Sequence, residues 1–511
     1  MLAKVNAGAV LGVEAYPVEI EVNAGRGEPK VIVVGLPDTA VRESADRVWT
    51  ALLNSAFLPP MGRTTVNLAP ADIRKEGPSF DLPIALGVLA AIDEIPSERL
   101  DDLCVIGELA LSGEVRRVRG VLPIALRARR DGRAGILVPP ENAEEAAVVE
   151  GLDVFPVNSL REAADFLNDA VDVKPLRVET AKVFDESGAY EEDFADVKGQ
   201  EFAKRAIEVA VAGGHNLLAI GPPGTGKTML ARRVPSILPP LTLDEALEVT
   251  KIHSIAGTLP SHQALVAQRP FRAPHHTISD AGLLGGGAHP MPGEVSLAHH
   301  GVLFLDELPE FHRNVLEVLR QPLEDGVVTI ARAAASLTFP CRFMLVAAMN
   351  PCPCGFHGHP LRECRCSPLQ IQRYRNRISG PLLDRIDIHV EVPSVHYREL
   401  AGDGRGEPSP AIRERVLAAR RLQHARFGRG GQVHCNAAMR ARETQAHCQT
   451  AEAAREMLKH AMQELHLSAR AYDRILKVAR TIADLAGSDT IQSDHVSEAI
   501  QFRTLDRQLW T

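Results

Sequence analysis

Aromatic side chains are scarce in this 511-residue chain, at 4% of the sequence, with 2 tryptophans and 5 tyrosines. That scarcity argues against a protein that binds single-stranded nucleic acid mainly by stacking bases on aromatic rings. Basic residues are not in excess either, because 57 Lys and Arg face 65 Asp and Glu and the formal net charge is −8. The whole chain therefore lacks the charge signature of a nucleic-acid-binding protein, although a basic pore inside an acidic shell is compatible with this balance.

Long apolar runs are missing as well. No stretch of about 18 apolar residues is free of charge, so we expect no membrane span. The N-terminal segment MLAKVNAGAVLGVEAYPVEIEV lacks the charged and then apolar pattern of a signal peptide. Eight cysteines do not suggest a disulfide scaffold in a chain of this length. These absences predict a cytoplasmic protein with no membrane partner, and the length predicts about two to four domains.

The N-terminal third predicts a mixed α/β domain over residues 1–170. Val18–Val22 alternates apolar and acidic residues, as in a half-exposed strand, whereas Lys30–Gly35 resembles a buried strand. Pro83–Ala91 is typical of an apolar helix, and Gly135–Pro139 of another short strand.

The rest of the chain predicts an α/β core followed by a helical domain. Residues 197–393 alternate the strand-like runs NLLAI, VLFLD and FMLVAAMN with helical stretches, which is typical of a parallel sheet with crossover helices. Residues 171–196 form a polar stretch that we interpret as a solvated linker, and residues 394–410 form a second, Gly- and Pro-rich linker. Residues 411–511 show no strand pattern, so we expect a helical lid domain.

The run GPPGTGKT fits the phosphate-binding pattern G-x-x-x-x-G-K-[ST], follows a predicted strand and opens a helix predicted from Met229 onward. Glycines let backbone N–H groups wrap phosphate oxygens, and the helix N-terminus adds the positive end of its dipole. The lysine would reach the β- and γ-phosphates of ATP, and the threonine would bind Mg²⁺. The predicted nucleotide-binding residues are Gly221, Pro222, Pro223, Gly224, Thr225, Gly226, Lys227 and Thr228.

The run GVLFLDE predicts a central strand that ends in two acidic residues. Ligands bind at the carboxyl edge of open α/β sheets, where both carboxylates would emerge. Asp306 would bind Mg²⁺, and Glu307 would polarise the attacking water. Asn350 ends the next predicted strand, Phe343–Asn350, where its amide could orient that water or simply cap the strand.

Two arginines could supply further positive charge to the γ-phosphate. Arg385 lies in SGPLLDRIDIHV, just before a predicted strand, and Arg470 lies in LSARAYDRIL, at the start of a predicted helix. Phosphoryl transfer requires such charge beyond the lysine and the metal. From the residues alone, each could equally be a surface arginine.

The run PCPCGFHGHPLRECRC contains two Cys-x-Cys pairs, formed by Cys352, Cys354, Cys364 and Cys366. Four thiolates can close a tetrahedral Zn²⁺ site, and a metal would order a loop that has no core of its own. His357 and His359 lie between the pairs and are alternative ligands. Four reduced thiols in a loop are the other interpretation.

Three features point toward DNA. Gly285–Glu294, which includes His289, is a glycine-rich projection, and Asp325–Arg342 predicts a hairpin with Arg332 near its turn. The stretch Ile412–Glu443 holds 8 arginines against 2 glutamates. A helix surface covered by arginine stems explains that stretch as well as DNA contact does.

Together, the runs RPFRAPHHTIS, GEVSLAHHGVLFLDELPEF, LRQPLEDG, AAMNPCPCG, SGPLLDRIDIHVEVP and LKVARTIADL resemble the Mg-chelatase-like AAA+ family that includes the competence protein ComM, also called YifB. The resemblance covers nearly the whole chain. It implies a homohexameric ring with ATP sites between subunits. It also implies a DNA helicase that drives branch migration when incoming single strands recombine with the chromosome during natural transformation, so single-stranded and branched DNA are the expected partners.

The same resemblance implies roles for individual residues. Asn350 would be the sensor-1 residue, Arg385 the arginine finger that acts on the neighbour's ATP, and Arg470 the sensor-2 arginine. Gly285–Glu294 and the hairpin around Arg332 match the two pore insertions that grip DNA in similar rings.

Residues 1–170 resemble the proteolytic domain of Lon-type proteases. VNLAPADIRKEGPSFDLPIA puts Ser79 where that family has its nucleophile. Lon needs a lysine in the later matching segment to deprotonate the serine, but Gly120–Ala125 has none, and Lys75 occupies a different motif position. We therefore expect a non-catalytic binding or assembly module.

These observations favour an ATP-dependent DNA motor. One alternative is a chelatase-type motor that inserts Mg²⁺ or Co²⁺ into a tetrapyrrole, and another is an ATP-dependent Lon-like protease. The chelatase interpretation leaves the Lon-like domain and the cysteines unexplained, and the protease interpretation conflicts with the missing lysine.

Overall fold

The computed structural model describes residues 2–28, 30–186, 190–287, 290–331, 336–359, 361–394, 406–428, 433–464 and 468–505. The chain forms two compact units. The first contains Met1–Gly188, Thr242–Ala267 and Ala331–Phe339, and the second contains Ala189–Leu241, Gln268–Ile330 and Pro340–Thr511. Among the described residues, no helix has both the length and the apolar character needed to cross a lipid bilayer.

A seven-stranded mixed sheet forms the framework of the first unit. Its centre is an antiparallel pair, because Gly12 has a positive φ of 66° and lets the chain reverse between two long strands. Along these strands, buried residues such as Val5, Val18 and Ile20 face the core. The spatial order of the strands is Lys30–Val34, Arg63–Ala69, Glu14–Ala24, Leu2–Leu11, Leu103–Val105, Gly135–Val138 and Asp153–Pro156.

The strand Lys30–Val34 corrects one sequence-based expectation. Its run of apolar residues predicted a buried strand, but Lys30 and Val34 are exposed and the three residues between them are only half-buried. The reason is its position, since it pairs with Arg63–Ala69 alone and forms the edge of the sheet. The other predicted strands and the predicted helix of this region are confirmed.

The helix Asp81–Ala91 lies against the central strands of this sheet, and every one of its residues is buried. Gly87 allows the close approach, because a Cβ at that position would lie 2.7 Å from a methyl group of Val22. The α-helices of the first unit are Thr39–Asn54, Asp81–Ala91, Glu98–Asp101, Val121–Arg130, Pro140–Ala147, Leu160–Leu167, Thr180–Glu186 and Leu243–Ala256. Shorter elements are the 3₁₀ turn Pro78–Phe80 and the strand pair Glu108–Leu109 with Val115–Arg116.

The helix Leu243–Ala256 lies far along the sequence but packs within the first unit. Thr242 and Glu245 form a reciprocal capping box that defines where it begins. It contacts the helix Val121–Arg130, and the Gly120 N–H donates to the carbonyl of Ser254 at 3.3 Å.

A five-stranded sheet, parallel throughout, forms the framework of the second unit. Three of its strands match the predicted runs, and the strand after Arg385 was also expected. Phe271–Arg272 was missed, because two residues carry no readable period. The spatial order is Phe271–Arg272, Val302–Leu305, Met344–Met349, Leu217–Ile220 and Ile388–Glu391.

Helices cover the second sheet and make up most of the described C-terminal residues. The stretch 171–196 is more structured than a solvated linker, because Thr180–Glu186 is helical and Phe194 is fully buried in the core of the second unit. The α-helices of this unit are Glu201–Gly213, Lys227–Ile237, Asp280–Leu284, Glu294–Leu297, Arg313–Val318, Arg320–Asp325, Pro368–Arg375, Gly380–Leu383, Ser409–Phe427, Ala441–His447, Glu452–Glu464, Ala469–Leu485 and Ser493–Gln501. The 3₁₀ turns are Phe194–Asp196, Leu308–Glu310 and Asn436–Ala438.

A buried ion pair joins two helices of the first unit. Arg47 Nε and Nη2 donate to the two carboxylate oxygens of Asp81 at 2.9 and 3.0 Å, and the Leu109 N–H donates to the same carboxylate at 3.3 Å. Asp81 is fully buried. Burial raises the pKa of Asp81 to about 6, and the hydrogen bonds and charge of Arg47 oppose that rise.

Replacing Arg47 by methionine should therefore destabilise the first unit. At pH 7.5 the Asp81 carboxylate would stay buried without its partner, which costs about 3–5 kcal/mol of unfolding free energy. The deficit should shrink toward pH 5. The pKa of Asp81 is higher in the folded chain than the ordinary value of about 3.9, so the folded state binds this proton more tightly and gains stability as the pH falls. Urea unfolding at both pH values measures the effect.

Arg127→Met is the matched control for that experiment. Arg127 pairs with Asp131 in the same unit, but both side chains are partly exposed. Losing such a pair costs about 0–1 kcal/mol. Equal losses in the two variants would contradict the argument that burial makes the Arg47 pair important.

Candidate functional site

The phosphate-binding motif lies where the sequence predicted it, at the carboxyl end of the strand Leu217–Ile220. The helix Lys227–Ile237 begins two residues before the predicted start at Met229. Gly224 and Gly226 have φ values of 78° and 85°, a region that residues with a Cβ rarely adopt. The turn therefore needs glycine at these points and leaves its backbone open to an anion.

Lys227 points back into this loop. Its Nζ donates to the carbonyls of Gly221 and Pro222 at 2.7 and 2.8 Å and to Asn350 Oδ1 at 3.1 Å. Burial lowers the pKa of Lys227, and the nearby carboxylates of Asp306 and Glu307 oppose that shift. The loop thus holds a partly desolvated cation surrounded by oxygen acceptors.

Thr228 and Asp306 meet beside Lys227. Thr228 Oγ1 donates to Asp306 Oδ2 at 2.6 Å, although the two residues are far apart in sequence. Asp306 directly follows the strand Val302–Leu305, at the same edge of the sheet as the phosphate-binding loop. Hydroxyl and carboxylate oxygens are the ligands that Mg²⁺ prefers, so this pair fits a magnesium ion.

Glu307 has a strained backbone. Its φ of 53° lies in the left-handed region, which costs a residue with a Cβ about 1–3 kcal/mol. Its side chain is half exposed, and a carboxylate oxygen lies 3.7 Å from Nδ1 of His276. His276 also stacks against His275, with ring centroids 4.1 Å apart. Motif spacing did not identify His276 as part of this site, and its only sequence signal was the His–His pair in RPFRAPHHTIS.

The structure therefore brings Lys227, Thr228, Asp306 and Asn350 together, with Glu307 beside them. Asn350 follows the strand Met344–Met349, which pairs in parallel with Leu217–Ile220. Neighbouring parallel strands deliver the residues after their carboxyl ends to one edge, which explains the convergence.

Arg385 lies on the other side of the same sheet, where the parallel strands begin rather than where they end. It precedes the strand Ile388–Glu391, whose first residue pairs with Leu217 at the start of the central strand. Four strand residues of about 3.3 Å each separate the two edges by about 13 Å. Arg385 thus does not join the Lys227 cluster of its own chain, and its guanidinium instead pairs with Glu324.

Arg470 lies near Arg385. It is the second residue of the helix Ala469–Leu485, its side chain is 72% exposed, and its Nη1 is 3.5 Å from Asp384. Both predicted charge donors are therefore on the side of the sheet away from the phosphate-binding loop.

A buried network that the sequence did not reveal links these two arginines. His215 Nδ1 is 2.9 Å from Asp387 Oδ2, and Nε2 is 2.8 Å from Thr481 Oγ1. Burial lowers the pKa of His215 to about 3, so the ring is neutral. Nδ1 then donates to the carboxylate, while Nε2 lies beside the Thr481 hydroxyl. Arg474 also pairs with Asp387, which ties the segment bearing Arg385 to the helix bearing Arg470.

The four clustered cysteines converge as a metal site would. The Sγ atoms of Cys352, Cys354, Cys364 and Cys366 all lie within 4.8 Å of one another. Backbone hydrogen bonds, chiefly from the Phe356 N–H, lower the pKa of Cys354 to about 6 and favour a thiolate. The cysteines could thus bind a metal ion.

The predicted DNA contacts are only partly described. The glycine-rich projection contains the strand pair Gly285–Gly286 with Met291–Pro292, and the predicted hairpin contains the pair Val327–Ala331 with Ser336–Pro340. His289 and Arg332 lie outside the described residues.

Several arginines of the arginine-rich stretch contact groups of their own unit. Arg415 pairs with Glu208 and Glu407, and Arg426 pairs with Asp484. These contacts favour the interpretation of this stretch as a helix surface.

Ser79 lies in the turn Pro78–Phe80, where its carbonyl accepts from the Gly107 N–H at 3.0 Å. Lys75 is fully buried, its Nζ donates to the carbonyl of Ile73 at 2.8 Å, and burial lowers its pKa. The segment that supplies the Lon lysine begins the helix Val121–Arg130, and its residues Val121–Ala125 are buried. The first unit therefore offers Ser79 no base from that helix.

Three family models match the chain. "Magnesium chelatase, subunit ChlI" covers residues 193–400, "Subunit ChlI of Mg-chelatase" covers residues 20–142, and "Magnesium chelatase, subunit ChlI C-terminal" covers residues 406–503. A shorter match is Lon protease 2 of Bacillus subtilis, 24% identical over 194 residues, which span 35% of this chain and 34% of that protein.

Relatives that match along the whole length are more informative. Competence protein ComM of Haemophilus influenzae is 46% identical over 512 residues, which cover 99% of this chain and 98% of that protein. YifB of Escherichia coli is 44% identical over 510 residues, with 99% and 98% covered. By this similarity, the chain belongs to the Mg-chelatase-like AAA+ family of ComM and YifB.

Proposed function

We propose that this protein is an ATP-driven DNA motor that works as a hexameric ring. One observation carries the proposal. The groups that would bind ATP lie at one edge of the parallel sheet, and the two arginines that would complete catalysis lie at the other. A chain built this way needs a neighbour to finish its site.

The residues at the carboxyl edge fit ATP and Mg²⁺. The loop of residues 221–226 would bind the phosphates through backbone N–H groups, and Lys227 would exchange its carbonyl contacts for phosphate oxygens. Thr228 and Asp306 would hold Mg²⁺, since their oxygens already adjoin. The metal would neutralise charge on the phosphates when bound.

Glu307 and Asn350 would act on the attacking water. Glu307 is the acidic residue beside the cluster that is not hydrogen-bonded to Thr228, and one of its carboxylate oxygens lies 3.7 Å from Nδ1 of His276. It would accept the proton as water attacks. Asn350 would orient the water through the amide that contacts Lys227.

Arg385 and Arg470 would act on the ATP of the adjoining subunit. Their position where the strands begin, away from Lys227, favours action on a neighbour's site, and the His215–Asp387 link would make them move together. An arginine of one subunit that contacts the ATP of the next couples the two sites. Such coupling suits a ring whose subunits hydrolyse ATP one after another.

DNA is the proposed substrate of the motor. The similarity to a protein named for competence favours action on incoming DNA during natural transformation, by branch migration of single-stranded and branched intermediates. The two hairpins, bearing His289 and Arg332, would grip the strand inside the ring.

A metal-insertion motor is the second candidate, because all three matching models carry the name of a magnesium chelatase subunit. One experiment separates the two. Branch migration should be measured on a synthetic three-strand substrate with and without ATP, together with DNA stimulation of ATP hydrolysis. A DNA motor shows both activities and loses them in Lys227→Ala. A protein that hydrolyses ATP at a rate unchanged by DNA and moves no junction contradicts the DNA proposal.

Glu307→Gln should bind ATP but hydrolyse it about 10²–10⁴-fold more slowly, because the residue would handle water rather than phosphate. A fluorescent ATP analogue measures binding, and phosphate release measures hydrolysis. Glu310→Gln is the matched control, since Glu310 is close in sequence but pairs with Arg377 at 2.8 Å. A normal hydrolysis rate in Glu307→Gln would show that the role belongs to another residue.

Arg385→Ala should lose hydrolysis by about 10³–10⁵-fold when assayed alone. Mixed with Lys227→Ala, it should regain part of the activity, because each subunit would supply what the other lacks across one interface. Arg377→Ala is the control and should need no partner. Absence of rescue at every mixing ratio would refute action in trans.

A further inference from the structure

The cysteine loop, residues 351–366, grows directly out of the candidate ATP site. It begins after Asn350, which contacts Lys227 at 3.1 Å, and Cys352 follows only two residues later. Pro351 and Cys352, which form this short connection, are both buried. Because the connection is short and buried, fixing the position of Cys352 also restricts the position of Asn350.

The sulfur positions fit one tetrahedral metal ion. Cys352 Sγ lies 3.4 Å from Cys354 Sγ and 3.7 Å from Cys364 Sγ, and the last two are 3.6 Å apart. Four thiolates at about 2.3 Å from Zn²⁺ lie about 3.8 Å from one another. A disulfide would need about 2.05 Å, and all four cysteines are free.

The loop also packs on the phosphate-binding loop. Gly355 directly follows Cys354 and has a φ of 82°. A Cβ at this position would lie 2.5 Å from Cδ of Pro223. The loop backbone is therefore in close contact with the wall of the phosphate cradle.

Few residues of the remaining loop are buried, and its side chains contact mainly one another, as Phe356 does with His359. Among its described residues, Leu361 is 88% exposed and only Pro351, Cys352 and Gly355 are buried. One polar contact helps, because Arg375 Nε donates to the carbonyl of Pro351 at 3.2 Å. A loop without a core of its own needs a metal to stay ordered.

We propose that the four cysteines bind one Zn²⁺ that braces the ATP site, by pressing Gly355 against Pro223 and fixing Asn350 beside Lys227. The zinc is structural, since four thiolates leave no open coordination position for substrate. Loss of zinc releases both walls of the site at once. This inference rests on the proposed ATPase activity.

Two glycine variants test the contact between Gly355 and Pro223 without removing the metal. Gly355 and Gly358 have nearly equal φ values, 82° and 79°, but a Cβ at Gly358 meets nothing within 4 Å. Gly355→Ala and Gly358→Ala thus share the same backbone strain, and only the first pushes on Pro223. We expect both to retain zinc, and Gly355→Ala alone to weaken ATP binding or lower kcat by about 10- to 100-fold.

Metal removal is the second arm of the experiment. Elemental analysis of full-length protein purified without added metal should find about one Zn²⁺ per chain, and Co²⁺ should replace it with a thiolate charge-transfer absorption band. The double variant Cys364→Ser, Cys366→Ser should lose the metal and show the same loss of ATP affinity or kcat. His357→Ala and His359→Ala should keep the metal. A zinc-selective chelator, with Mg²⁺ kept in excess, should inactivate the wild type, and added Zn²⁺ should restore it.

Each outcome decides a separate point. Metal content near zero, with all four thiols freely titratable, overturns the site. Bound zinc together with equal behaviour of Gly355→Ala and Gly358→Ala overturns the brace. A wild type that hydrolyses no ATP refutes the proposed function, and binding of a fluorescent ATP analogue then still compares the two glycine variants. If Gly355→Ala fails to fold, reversible chelation of the wild type carries the test.

Discussion

The partly buried ammonium group of Lys227 is the constraint on which the arrangement of the second unit depends. A cation removed from water is costly unless oxygen atoms surround it. Here the carbonyls of Gly221 and Pro222 and the amide of Asn350 provide them. Glycines must form the loop so that its carbonyls can turn inward, and the strand leading to Asn350 must lie beside the strand leading to the loop. A parallel sheet meets both conditions, because its strands all release their next residues at one edge.

The same sheet separates the Lys227 cluster from the two arginines that we propose act in catalysis. Residues that follow the strands gather around Lys227, and residues that precede them, among them Arg385, gather at the other edge. His215 occupies the start of this other edge and ties Asp387 to the helix that bears Arg470. Rigid strands of about 13 Å between the edges prevent the arginines from folding back. This division favours assembly, since a neighbouring copy can bring the second edge to the first.

The first unit has a large, well-packed core, but the segment that carries a lysine in Lon-type proteases has none here. The fully buried helix Asp81–Ala91 and the Arg47–Asp81 pair stabilise it. Ser79 lies in a turn at the start of that helix, while the segment Val121–Ala125 is apolar and buried where a proteolytic relative carries its lysine. This buried apolar segment carries no basic side chain that could deprotonate Ser79.

The sequence by itself determined the phosphate-binding loop, the acidic strand end with Asp306 and Glu307, the parallel character of the core and the helical C-terminal part. These features depend on short-range patterns, such as glycine spacing and apolar runs, that need no distant partner to be read. It could not distinguish an edge strand from a buried one at Lys30–Val34, because burial depends on neighbours rather than on residue type. Nor could it detect the two-residue strand Phe271–Arg272 or the helical content of residues 171–196.

Only the tertiary structure decided which distant residues meet. Thr228 contacts Asp306, His276 lies beside Glu307, His215 bridges Asp387 and Thr481, and Gly355 packs on Pro223. It also put Arg385 and Arg470 away from Lys227, where they pair with Glu324 and Asp384. The physical reason is that strand order and direction determine the edge at which a residue emerges, and those are set by packing of the whole sheet rather than by the residues next to each site.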